Sequence, residues 1–279
     1  AAEARRDFAG TREDDFVLFT DADVVFHDGG IEAAWRLACE RRADHLMVFP
    51  EMVVTGFWER VFLSTFTLLF GIAYRVWDIN RPRRRAAAGV GAFNLVRTRA
   101  YERAGGHRSI ALEIADDVKL GKRLRATGAT PLLAVGTRIC RVRWQHGLSG
   151  HITGLTKNAF SGFDYSLLRL VGGTAGMLFL LWPFLGVWLG PAWARILCGA
   201  ALAMVLAVYA NGGRSGGPSA AYFLTYPVGT LFFLIACWRS AVVTLKQGGV
   251  TWRETFYPLE LLRARPVPAP LETDEVETP

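Results

Sequence analysis

Little in this chain can build a thiolate or imidazole metal centre. Its four cysteines, Cys39, Cys140, Cys198 and Cys237, have no metal-ligand spacing. Two of them lie in apolar segments, and all four read as reduced, structural thiols suited to a cytoplasmic face. The five histidines (His27, His45, His107, His146, His151) are equally scattered. The glycine pair Gly89 and Gly91 does not form a Gly-x-Gly-x-x-Gly nucleotide loop. Basic residues form no long stripe interleaved with aromatics, so nucleic acid is not the expected partner. The most apolar segments carry almost no ionisable side chains, which argues against a transport path. No signal-peptide pattern opens the chain. Polar residues 1 to 15 lead straight into a strand, as if the sequence began inside a domain.

What the chain does have is unevenly spread hydrophobicity. Apolar residues make up 51% of its 279 positions, and mean hydropathy is +0.22. The first 160 residues mix charge with apolar runs, as globular domains do; residues 167 to 238 are overwhelmingly apolar. Three segments there, Ser166 to Gly190, Trp193 to Ala210 and Ala220 to Trp238, have the length of membrane-spanning helices. A hairpin at Gly190-Pro191 joins the first two, and Asn211 to Ser219 reads as a polar loop. Residues 57 to 77 are also apolar, but aromatic residues and arginines punctuate them. They read as a helix lying in the membrane interface.

Net charge is +7, with basic clusters at Arg81, Arg83, Arg84 and Arg85, at Arg138 to Arg143, and around the apolar segments. An anionic membrane face or a diphosphate substrate fits this charge. The basic residues place positions 1 to 165 on the cytoplasmic side. Three crossings would then leave Arg239, Lys246, Arg253 and Arg263 outside, against the same rule. A re-entrant segment, or a segment 239–263 on the membrane surface, resolves the conflict.

Two acidic motifs carry the chemistry. Asp21-Ala22-Asp23 follows the apolar run Phe16 to Thr20, which reads as a buried strand. Alternate residues of an extended chain share a side, so Asp21 and Asp23 are expected to face one site. Paired carboxylates repel unless a cation lies between them, and Mg²⁺ or Mn²⁺ shares such ligands with phosphates. Asp-x-Asp also occurs in ordinary surface turns. The second motif, Asp116-Asp117, opens a helix on which Leu120 and Leu124 share a face. First-turn acids are common for electrostatic reasons alone. Between the motifs, Gly89 and Gly91 permit a close backbone approach to a ligand or to another strand. Asp28 is expected to cap a helix over residues 31 to 42, with Ile31, Ala34, Trp35 and Ala38 on one face.

The order of these motifs resembles membrane-bound family 2 glycosyltransferases, closest in flavour to the ceramide-glucosyltransferase-like and hopanoid-type bacterial branch. The residues that carry the resemblance are Leu-Phe-Thr-Asp21-Ala-Asp23, Ala-Asp116-Asp117-Val-Lys-Leu, Arg143-Trp144, Thr156 to Gly162 and Trp252 to Tyr257, with the apolar spans between. The resemblance implies an α/β, partial GT-A (Rossmann-like) domain over residues 1–165 that ends in an interfacial helix. Three transmembrane helices over 166–238 would follow, then an amphipathic segment and disordered tail over 239–279. It implies an inverting enzyme of the inner membrane that uses a nucleotide sugar and a lipid acceptor. Asp21 and Asp23 would hold Mg²⁺ or Mn²⁺ and the donor diphosphate, and Asp117 would be the general base. Asp116 stands where the family usually has Glu. Arg143 and Trp144 match the end of a Gln-x-x-Arg-Trp motif, where Cys140 replaces the first residue; this favours transfer of a single sugar over a processive polysaccharide synthase. The family's first strand is absent, so the chain is expected to be a fragment, and a non-catalytic membrane scaffold is the rival from another class.

Overall fold

Strands form here where β-branched and aromatic residues cluster, and helices where apolar residues recur every three or four positions. The computed structural model describes residues 14–81, 84–110, 114–214, 220–252 and 255–264. Arg83, Arg253, residues 215–219 of the expected polar loop and the tail after Ala264 lie outside the described residues. The elements in order are β1 (Phe16–Phe19), β2 (Val24–Phe26), α1 (Gly30–Glu40), β3 (His45–Met52), α2 (Phe57–Tyr74), α3 (Val76–Ile79), β4 (Asn94–Arg97), α4 (Thr98–Arg103) and α5 (Asp116–Ala126). There follow β5 (Pro131–Val142), α6 (Gly147–Gly154), α7 (Leu167–Leu189), α8 (Ala192–Arg214), α9 (Tyr226–Gln247), β6 (Gly249–Trp252), β7 (Thr255–Pro258) and α10 (Leu259–Arg263).

The fold is mixed α/β. A five-stranded sheet has the order β1-β4-β3-β5-β2. Only β3 and β5 pair in parallel; the other neighbours are antiparallel. Register breaks between Pro50 and Glu51, where the partner jumps from Gly136 to Arg141. Such an irregularity bends a strand, and the last part of β5 turns here to pair with β2. Alternation along β3 supplies both faces of the sheet. Leu46 and Val48 pack with Ala34 and Ala38 of α1, while Met47 packs with Ile79 and Ala88. On Met47's side α5 contributes Leu120 and Leu124, which pack with Val96 and Tyr101.

Several expectations are corrected. The strand before Asp21 is only half-buried rather than buried, because it lies at the sheet edge. Asp28 does not cap α1, whose N-cap is Gly29 in the left-handed conformation at φ 68°. Only half of the expected apolar face of α1 is buried, because Ile31 and Trp35 are exposed. Asn211 to Arg214 continue α8 rather than starting a loop.

Three helical stretches are long and apolar enough to cross a membrane: Leu167–Leu189, Ala192–Asn211 and Ala220–Gln247. They share a mean hydropathy of 1.8 but differ in how much protein covers them. In the first two 11% of the apolar window is buried, against 44% in the third. The cover comes partly from α2, whose Trp58 ring meets Phe232 edge-on at 5.8 Å. Gly229 lies so close to Thr65 that a Cβ there would sit 2.0 Å from its hydroxyl. The far half of α9 packs on residues 156–165. Ser240 donates to the Thr156 carbonyl at 2.6 Å, and Arg239 Nε donates to the Thr156 hydroxyl at 3.1 Å. Beyond α9, Val250 and Leu259 join a core with Ile114, Phe160 and Tyr165, and Arg263 donates to the Tyr165 carbonyl at 2.9 Å.

Helix α5 lies directly on the loop before β4. A Cβ on Gly121 would sit 1.7 Å from the Ala88 carbonyl oxygen, and one on Gly89 would sit 1.8 Å from the Asp117 carbonyl oxygen. Mid-helix Gly→Ala normally stabilises by about 1 kcal/mol. Here Gly121→Ala is expected to destabilise by about 2 kcal/mol or more, because backbone must move. Thermal unfolding of the purified variant tests this; a midpoint at or above wild type would contradict the packing.

Candidate functional site

The two acidic motifs meet through one peptide unit. Asp21 N–H donates to the Gly91 carbonyl at 3.1 Å. Gly91 N–H donates to Asp117 Oδ2 at 2.9 Å. Thr20 adds a third tie, its hydroxyl donating to the Ala92 carbonyl at 2.9 Å. A Cβ on Gly91 would lie 2.8 Å from Asp21 Oδ2 and would displace that carboxylate. Packing is thus only part of what the glycine pair does: Gly89 lets α5 approach, and Gly91 leaves the Asp21 carboxylate its place.

Asp21 to Val24 form a tight turn closed by Val24 N–H on the Asp21 carbonyl at 3.4 Å. The two carboxylates are therefore not alternate residues of an extended strand, as the spacing implied. They remain electrostatic neighbours. Asp21 is raised above its usual value by desolvation first, then by the charges of Asp23 and Asp116; Lys157 acts in the opposite direction. By accessible surface Asp21 is exposed, so the atoms packed around its carboxyl crowd it without covering it.

Asp117 is the most perturbed acid of the cluster. Burial pushes it up to about 6, and the charges of Asp116 and Asp21 act in the same direction. Its two backbone donors, Val118 N–H at 2.7 Å and Gly91 N–H, pull the other way and do not prevail. Asp116 accepts from Asp117 N–H at 2.9 Å and also faces His107, which burial keeps below its ordinary value. His107 is held by the Tyr101 hydroxyl at 2.7 Å from Nδ1. Tyr74 feels the Asp117 charge as well; burial and that charge raise it. Lys157, Tyr74 and His107 had no role in the sequence reading. Lys157 lies in the Thr156 to Gly162 stretch, which was the one signal that could have pointed to it.

Arg143 and Trp144 are placed differently. Antiparallel β2 and β5 pair Val24 with Val142, so Asp23 and Arg143 are the next residues outward from that pair. The Arg143 guanidinium donates to the Thr55 hydroxyl at 3.0 Å and lies 3.8 Å from Glu59. Its Nε is buried without a partner among the described residues. Trp144 packs its ring against Phe66 at 4.9 Å and His151 at 5.5 Å, in a cluster with α2 and α6. That is an anchor's environment. Cys140 is fully buried in the α1 core, and burial pushes its thiol up to about 11, so it is inert there.

No group of three or more His, Cys, Asp or Glu among the described residues is set to cage a metal by itself. The donor set fits a more open arrangement. Mg²⁺ and Mn²⁺ accept hard carboxylate oxygens, often only one or two, and complete the shell with water and substrate phosphate. Asp21 and Asp23 are exposed, and Asp21 is destabilised as an anion by its acidic neighbours. A cation would relieve that repulsion.

The raised Asp117 makes a sign prediction. Folded Asp117 holds its proton up to about pH 6, whereas the unperturbed value is 3.8. Folding stability therefore falls as pH rises from about 4 to about 6, and the penalty stays constant above that. Its upper bound is roughly 3 kcal/mol. Asp117→Asn is expected to be more stable than wild type at neutral pH in metal-free buffer, with the gap closing near pH 4. Equal denaturation midpoints at neutral pH would reject a strained carboxylate.

Set beside known proteins, the chain matches no family model, no curated protein and no solved structure.

Proposed function

We propose that the chain is a membrane-embedded, inverting glycosyltransferase with a GT-A-like catalytic domain, which moves a sugar from a nucleotide-sugar donor to a lipid hydroxyl. The observation that carries the reading is the Gly91 peptide, which draws a desolvated Asp117 to the Asp21–Asp23 turn. Apolar helices beside the domain supply the reason for a lipid acceptor.

Each residue has a part. Asp117 is the base: its carboxylate takes the proton from the acceptor hydroxyl as that oxygen bonds to the anomeric carbon. The bond from the anomeric carbon to the diphosphate oxygen breaks, and its electron pair leaves with the nucleoside diphosphate. Attack from the opposite face inverts the centre. Asp21 and Asp23 would hold Mg²⁺ or Mn²⁺, which supplies Lewis-acid stabilisation of the leaving diphosphate when bound. Arg143, one position out from the Val24–Val142 pair, has an Nε without a partner among the described residues and would suit a phosphate oxygen. Burial first, and then like-charge repulsion from Asp116, keeps Asp117 basic. Trp144 anchors α2 and α6 and takes no part in the chemistry. The buried Cys140 has no access to a growing glycan, which supports transfer of one sugar rather than a polymer.

The contacts of Arg239, Ser240 and Arg263 with Thr156 and Tyr165 support a reading of the membrane topology. We infer that these basic residues share the cytoplasmic side with the α/β domain. The net number of crossings between them is then even, with α7 and α8 as a hairpin and α9 re-entrant. Reporter fusions after Asp164 and after Arg263 should both read cytoplasmic; opposite readings would refute this topology.

The transfer reading has its own test. Asp117→Asn is expected to lower turnover by roughly 10²- to 10⁴-fold while leaving donor binding nearly intact. Wild-type activity should rise with pH through about 6 as the base loses its proton. Asp23→Ala should weaken Mn²⁺-dependent binding of the donor in calorimetry. Ordinary turnover in Asp117→Asn would remove the base assignment, and absence of heat with every nucleotide sugar would favour a non-catalytic scaffold.

A further inference from the structure

Five hydroxyl groups from three helices meet inside the apolar part of the molecule. Ser64 and Thr65 come from α2, Tyr209 from α8, and Tyr226 and Thr230 from the start of α9. Thr65 and Thr230 are fully buried, and Tyr209 and Tyr226 are each 1% exposed. The Tyr209 phenol faces Thr65, Ser64 and Tyr226, and the Tyr226 phenol faces Thr230. Thr65 in turn lies against the Gly229 backbone, one residue before Thr230. Aromatic rings cover the group: Phe184 of α7 stacks on Tyr226 at 6.1 Å, and Phe223 meets Tyr209 edge-on at 6.5 Å.

Two of the five hydroxyl protons have an acceptor. Ser64 donates to the Val61 carbonyl at 2.9 Å, and Thr230 donates to the Tyr226 carbonyl at 2.9 Å. The hydroxyl oxygens of Thr65, Tyr209 and Tyr226 are buried without a hydrogen-bond partner among the described residues, so the approaches between them fall short of hydrogen-bond geometry. Both tyrosines lie in stretches long and apolar enough to cross a membrane. Bulk water does not reach the hydrocarbon of a bilayer, and an unsatisfied hydroxyl is destabilising there. Packing does not explain three such groups at one point, because phenylalanine and valine would fill the same space without that penalty.

We propose that this junction is a binding site for one neutral hydroxyl group, supplied by water or by the alcohol of a lipid. The oxygen of that hydroxyl accepts from two of Thr65, Tyr209 and Tyr226. Its own proton goes to Ser64 or Thr230, whose oxygens keep free lone pairs. Two to four polar partners is what a buried water requires. All five groups are neutral, so a phosphate or a carboxylate would gain no counter-charge from them. The bound oxygen would join α2 to α8 and α9. The proposal is independent of sugar transfer, since none of the five groups belongs to the acidic site.

The experiment uses the full chain in nanodiscs of saturated phosphatidylcholine, a lipid without a hydroxyl, in one arm alone and in the other with added diacylglycerol. Tyr209→Phe and Tyr226→Phe keep the ring and remove the oxygen. In the arm that supplies the ligand, each variant should melt about 2 °C or more below wild type. Partnerless hydroxyls would give the reverse sign, since their removal relieves a penalty. The double variant should lose less than the sum of the two, because the phenols share one ligand. Proton NMR of the wild-type protein with labelled tyrosine gives a readout that ring packing does not move. The hydroxyl proton of Tyr209 or Tyr226 should show a cross-peak to water or to the glycerol protons of diacylglycerol. A water cross-peak without diacylglycerol assigns water; a cross-peak and a destabilisation seen only with diacylglycerol assign a lipid alcohol. Variants that melt at or above wild type in both arms, or tyrosine hydroxyls with neither cross-peak, overturn the proposal.

Discussion

A single peptide unit organises the acidic region. The carbonyl of Gly91 accepts from the backbone of Asp21, and its N–H donates to the carboxylate of Asp117. These two bonds join an edge strand to the first turn of α5, elements far apart in the chain. Gly89 allows the helix to lie on the loop, since a Cβ there would sit 1.8 Å from the Asp117 carbonyl oxygen, and a Cβ at position 91 would push the Asp21 carboxylate aside. Burying Asp117 in this joint desolvates it, and its neighbours add like charge. The strain in the cluster is therefore a product of packing, and the two backbone donors only moderate it.

A second joint ties the residues after β5 to helices α2 and α6. Glu59 accepts from the backbone N–H groups of Thr55 at 3.0 Å, Gly56 at 2.9 Å and Gly147. Those donors, the Gly56 N–H foremost, hold its carboxyl down at about 2, so it stays ionised although almost fully buried. One side chain thereby closes the start of α2, the start of α6 and the approach of Arg143. Trp144 then fills the space between those two helices. Residues 143 and 144, neighbours in one motif, divide the work between charge and packing.

Much of the chain was legible in order. Residue pattern placed the start of α5 and the existence of the apolar helices, because each has a one-dimensional signal, although α9 runs nine residues past the expected Trp238. Gly105 and Gly106 follow the end of α4, at φ 77° and 54°. The misses share a cause: they depend on what lies opposite. The pattern around Phe16 could not show that β1 sits at an edge, and Asp28 could not show that Gly29 would take the cap. Hydropathy gives α7, α8 and the α9 stretch the same value, though protein covers only the last to any extent. Apolarity does not distinguish lipid from protein as a neighbour. Within the site, the two acidic motifs were visible as residue types. The Gly91 link and the nearness of Lys157 and His107 needed coordinates, because each joins segments remote in the chain.

The anchoring of α9 has a consequence for any lipid that meets the domain. This helix is pinned by α2 near Gly229 and by residues 156–165 near Ser240. Two attachment points along one rod prevent it from sliding or pivoting against the α/β domain. Wherever the bilayer grips the rod, the depth of the acidic turn is set as well. On the transfer reading, the protein would then sort acceptors by the level at which their hydroxyl floats. Two lipids with identical headgroup chemistry but different linker lengths would not be equivalent to it.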